Sequence, residues 1–73
     1  MSTVPYNPAM TGTCLRDLRC TRSWTQAELA RRSGLSVSTV SALERGMRDM
    51  SVETLFALCR ALCCAPAALL GGQ

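Results

Sequence analysis

"TQAELARRSGLSVSTVSALERG", running from Thr25 to Gly46, decides how this chain folds. Thr25 is followed three positions later by Glu28, the spacing of a capping box. In that box a hydroxyl and a carboxylate each accept from an N–H that the first turn of a helix leaves unpaired. Leu29 and Ala30 begin an apolar side, and Gly34 soon offers the left-handed backbone on which helices end. Ser36 then caps another short helix, which Gly46 terminates. At about 100° per residue, Thr39, Val40, Leu43 and Glu44 share its inward arc. Ser38, Ser41, Ala42 and Arg45 share the outward arc, with Val37 on the border. Such a helix is half-buried and turns small, mostly uncharged groups outward.

The flanks read as helix too. Thr13 is expected to cap a first helix through about Arg22, with Leu15 and Leu18 on one face. Ser51 caps a fourth, with Val52, Leu55, Phe56, Cys59 and Leu62 as its buried stripe and Glu53 near the positive helix N-terminus. Pro66 suits the first turn of a brief fifth helix ending at Leu69 and Leu70. Residues 1–12 are uncharged and interrupted by Pro5, Pro8 and Gly12, which predicts a flexible N-terminal arm ahead of one domain at 13–71. No strand alternation competes, so the fold class is all-α.

Composition sets the outer limits. A chain of 73 residues buries only about 60% of its unfolded surface, so a second subunit would add stability. Eight arginines and no lysine face five acids, a net charge of +3 that favours an anionic partner. The opening "MSTVPYNPAM" lacks the basic start and apolar run of a secretory leader, and no segment is long enough for a bilayer. Five cysteines without framework-like spacing point to a reducing cytoplasm. With no histidine, no glycine-rich phosphate loop and little chain to enclose a substrate, no enzyme and no cofactor is expected.

Two short helices joined by a turn containing glycine make a helix-turn-helix unit, whose second helix can enter the major groove of DNA. From Leu15 to Leu70, "LRDLR", "TQAELARRSGLSVSTVSALERG", "SVETLFALCRAL" and "PAALL" closely resemble the phage repressor/Cro-type, or XRE-like, helix-turn-helix family in order and spacing. The resemblance implies a compact five-helix, lambda-repressor-like domain that binds double-stranded operator DNA as a homodimer. It places Ser36, Val37, Ser38 and Ala42 against bases. It gives Gln26, Arg45, Arg48, Arg19 and Ser41 to phosphates, and makes Arg19 and Glu44 a structural pair. Phe56, Leu69 and Leu70 fall where the family often dimerises. The face lacks the Arg, Asn or Gln of bidentate base contacts, so hydroxyls and methyls must read it, aided by water or DNA shape. Arg22, Arg31 and Arg32 fit either phosphate contact or solvated charge at helix C-termini, and Arg60 fits plain surface.

The chain departs from the family pattern in two places. Cys63 stands where glycine is common, which predicts a positive φ, and Ala65 is a poor N-cap. "CRALCC" holds Cys59, Cys63 and Cys64, but without CxxC or histidine these read as small hydrophobes rather than a metal site. The rival to DNA binding is an antitoxin-like or anti-repressor-like module that uses the same scaffold for a protein partner.

Overall fold

A computed structural model describes residues 7–70. Its ordered elements are all helices: α1 (Pro8–Thr21), α2 (Gln26–Ser33), α3 (Val37–Glu44), α4 (Val52–Leu62) and α5 (Pro66–Leu69). This is the expected all-α, five-helix architecture, with the helix-turn-helix at α2 and α3.

Four of the five starts fall where the sequence places them, because each is fixed by a local device. The hydroxyls of Thr25, Ser36 and Ser51 accept from the N–H groups of Glu28, Thr39 and Thr54. Pro66 occupies the first turn of α5, and Ala65 before it makes no side-chain cap. Gly34 closes α2 at φ 77°, and Cys63 closes α4 at φ 54°, the left-handed geometry expected of it.

The first helix differs from its sequence reading. It begins at Pro8 rather than beyond Thr13. Asn7 is the N-cap, accepting from the N–H groups of Ala9 (3.0 Å) and Met10 (3.2 Å). Pro8 fits because a helix's first N–H groups have no intrahelical partner, so a residue without one loses nothing there. Thr13 is interior, and its hydroxyl donates to the Ala9 carbonyl at 3.1 Å. The part of the expected arm at residues 1–6 lies outside the described residues.

Gly12 is helical because of what faces it. A Cβ there would lie 2.5 Å from the Glu44 carbonyl oxygen and 2.6 Å from that of Leu43. The backbone of α1 thus touches the end of α3, an approach only glycine permits.

The core gathers one side of every helix: Leu15 from α1, Leu29 and Ala30 from α2, Val40 and Leu43 from α3, Leu55, Leu58, Cys59 and Leu62 from α4, and Leu69 from α5, with Met50 from the loop. α1 packs on α3 and α5, and α2 on α3 and α4. Two expected positions are corrected. Phe56 is 47% exposed, since it adjoins Leu55 on the helix and only Leu55 faces inward. Leu69 is 0% exposed and belongs to the chain's own core, so only Leu70 and Phe56 of the expected dimer contacts reach the surface. No described helix is long and apolar enough to cross a membrane.

Candidate nucleic-acid interface

The outward face of α3 begins at its cap. The Ser36 hydroxyl accepts from the Thr39 N–H (3.1 Å) and donates to the Thr39 Oγ1 (2.9 Å), so its one proton is already committed. Val37, 46% exposed, and Ser38 stand free of the core on the first turn, while Ser41 and Ala42 are half-buried one turn on. Val40 and Leu43 anchor the opposite side. The result is a low ridge with no charge along its length. Arg45 ends it, exposed, with Nε donating to the Ser41 carbonyl at 3.3 Å. Arg48 follows in the exposed loop toward α4.

The ridge is held by one carboxylate. Glu44 receives the Arg19 Nε at 2.6 Å and Nη2 at 3.0 Å, a two-pronged pair whose side chains are only 3% and 13% exposed, respectively. Arg19 also donates Nη1 to the Trp24 carbonyl at 2.8 Å. The Glu44 hydrogen bond, outweighing burial, holds the Arg19 guanidinium above its ordinary pKa. The Gln26 amide donates to the same carboxylate at 3.1 Å. A single group therefore joins α1, the α1–α2 turn, the start of α2 and the end of α3.

The resemblance assigns Gln26 to phosphate, and in the unbound chain its side chain serves Glu44 instead. No pattern rule links a residue at a helix start to an acid eighteen positions on, so sequence reasoning missed that bond.

The remaining arginines divide by what they touch. Arg22 donates to the Leu18 carbonyl at 2.9 Å and to the Leu62 carbonyl, stitching the end of α1 to the end of α4. Arg31 and Arg32 both pair with Glu28 on their own helix, and Arg32 lies 4.3 Å over the Trp24 ring. The hydrogen bond from Arg31, then that from Arg32, hold the Glu28 carboxyl below its usual range against a small desolvation effect. A depressed carboxylate adds stability above its unfolded pKa and loses it as pH falls through the folded value. For this exposed cluster the contribution is small. Glu28→Gln should flatten the acid limb of a melting-temperature profile slightly, and an unchanged limb would show that the cluster contributes nothing.

Residues 15–69 match the helix-turn-helix family HTH_3. The chain belongs to that family. Among solved structures similar to this HTH_3 chain is the restriction-modification controller protein C.AhdI from Aeromonas hydrophila. It is 38% identical with a TM-score of 0.81, over 84% of this chain and 92% of that one. The P22 c2 repressor, solved in complex with a synthetic operator, is 34% identical with a TM-score of 0.81, over 88% and 97%. SinR, a master regulator for biofilm formation solved in complex with DNA, is 26% identical with a TM-score of 0.80, over 84% and 98%. Antitoxin HipB of Escherichia coli O6:H1 is 30% identical over 57 residues, 78% of this chain. The HTH_3 chain spans 61% of the length of that relative.

Proposed function

We propose that this DNA-binding transcriptional regulator of the HTH_3 family is a cytoplasmic repressor that binds a pseudo-palindromic operator as a homodimer. The reading is carried by α3, which keeps Val40 and Leu43 in the core while Val37 and Ser38 face out beside Arg45. It is supported by likeness to proteins solved on an operator or on DNA. Small side chains let the α3 backbone approach the groove floor closely. Ser38 exchanges hydrogen bonds with base edges, while the methyls of Val37 and Ala42 meet thymine C5-methyl groups. Arg45, Arg48, Ser41 and the first N–H groups of α2 beside Gln26 take phosphates. Two such helices occupy major grooves about 34 Å apart, paired through Phe56 and Leu70.

Arg45→Ala should weaken binding to all duplexes about equally and reduce the salt slope by roughly one charge. Val37→Ala or Ser38→Ala should change which sequences are preferred, with the salt slope intact. Anisotropy titrations over several salt concentrations, on duplexes selected from a random pool, read both quantities. Equal losses on every duplex for all three variants would overturn this division of labour.

Likeness to Antitoxin HipB favours a second reading, in which the scaffold also docks a protein partner. In that case binding to duplex DNA that stays flat with salt, or is absent in dilute buffer, would count for the protein partner alone.

A further inference from the structure

The end of α4 is closed by two backbone bonds. The Cys63 N–H donates to the Arg60 carbonyl at 3.4 Å, and the Cys64 N–H reaches back to the Cys59 carbonyl at 3.1 Å. With Cys63 left-handed between them, this is a Schellman ending, and in that motif the side chains at the two ends of the longer bond commonly meet. Here both of those residues are cysteines.

The Cys64 N to Cys59 O distance of 3.1 Å, added to standard bond lengths, keeps the two Cα atoms within about 7 Å. Disulfides span Cα separations of roughly 4.4–6.8 Å. Cys59 is buried at 7% exposure, and Cys64 packs against the same core cluster from its rim. Both are free thiols. Cys63 points elsewhere, with its sulfur 3.8 Å from the Arg60 carbonyl.

We propose that Cys59 and Cys64 form a dithiol modification site, which a low-molecular-weight disulfide converts to an intramolecular disulfide. The Cys64 thiolate, the more exposed of the pair, attacks one sulfur of the reagent. The reagent's S–S bond breaks, one reagent thiol leaves, and a mixed disulfide remains on Cys64. The Cys59 sulfur then attacks the Cys64 Sγ, breaks the mixed bond and releases the second reagent thiol. The protein sulfurs give up two electrons and two protons, and both appear on the two reagent thiols.

The thiolate is the attacking form. Burial, then the neighbouring Cys64, pushes the Cys59 thiol up to about 11. The second step is therefore slow near neutrality and accelerates as pH rises toward that value.

Arg60 lies between the two cysteines, so trypsin separates them unless a disulfide joins the peptides. The full chain is incubated with oxidised glutathione at neutral and mildly alkaline pH, alkylated, digested and mapped by mass spectrometry without reduction. The peptide ending in Arg60 should appear linked to the one starting at Ala61, with faster formation at the higher pH and reversal by dithiothreitol. The link should persist in Cys63→Ser and vanish in Cys64→Ser, while Cys59→Ala should stop at a glutathione adduct on Cys64. Loss of the link in Cys63→Ser, or a wild-type chain that stays at the adduct under alkaline conditions, would overturn the proposal. The wild-type mapping needs no variant to fold.

Discussion

Gly12→Ala is expected to lower the melting temperature of this chain by roughly 10–20 °C, the shift that about 2–3 kcal/mol produces in a domain of this size. Alanine is the better helix former by about 0.5–1 kcal/mol, so propensity alone predicts the opposite sign. Space decides. The new Cβ would sit 2.5 Å from one backbone carbonyl oxygen and 2.6 Å from the next, and neither is the end of a flexible side chain. α1 and α3 must move apart. Arg19 lies two turns further along the same face of α1, so the same displacement would loosen its grip on Glu44. Gly34→Ala is the comparison: nothing lies within 4 Å of its Cβ position, and the cost there is the left-handed φ of 77° alone. That cost is about 1–2 kcal/mol. Thermal unfolding followed by circular dichroism ranks the two, and a Gly12→Ala chain as stable as the parent would show that the helices separate freely.

Gly12 also shows where sequence reasoning loses its hold. Thr25, Ser36, Ser51 and Pro66 announce helix starts through groups within four residues, and the structure bears out all four. Asn7 and Pro8 use the same local chemistry, but asparagine, proline and glycine also mark loops. What turns Gly12 from a loop signal into a packing residue is a carbonyl thirty-two positions away. The adjacent Leu55 and Phe56 present the same problem, since helical periodicity admits both to one stripe while the neighbouring helices admit only Leu55. Charge counting has its own blind spot. Eight arginines suggest many phosphate ligands, yet Arg22 is spent on two carbonyls, Arg31 and Arg32 on Glu28, and Arg19 on Glu44. The ridge of α3 was legible because its inward and outward arcs follow from periodicity; the hand that holds it in place was legible only as the Arg19–Glu44 pair, by resemblance.

Glu44→Ala should be the most damaging substitution near the ridge, at about 3–5 kcal/mol. Its carboxylate is 3% exposed and carries three hydrogen bonds from two side chains. Its removal leaves a largely buried guanidinium with only the Trp24 carbonyl, and strands the Gln26 amide. A domain of this length holds in total about 4–11 kcal/mol, so a large share of the molecules should be unfolded at physiological temperature. Glu44→Gln keeps an acceptor but loses the charge and should cost less, about 1–3 kcal/mol. The double replacement Arg19→Met with Glu44→Leu removes both charges, and should recover much of the stability because neither partner is left alone. Its affinity for DNA is the decisive reading. If the pair only stabilises the fold, the double variant binds as the parent does. If it sets the angle at which α3 leaves the bundle, affinity stays low after stability has returned, because no apolar contact reproduces the two-pronged geometry that fixes α3 against α1. A Glu44→Ala chain that melts with the parent would remove the premise of both outcomes, since a carboxylate joining three helices cannot then be what holds them.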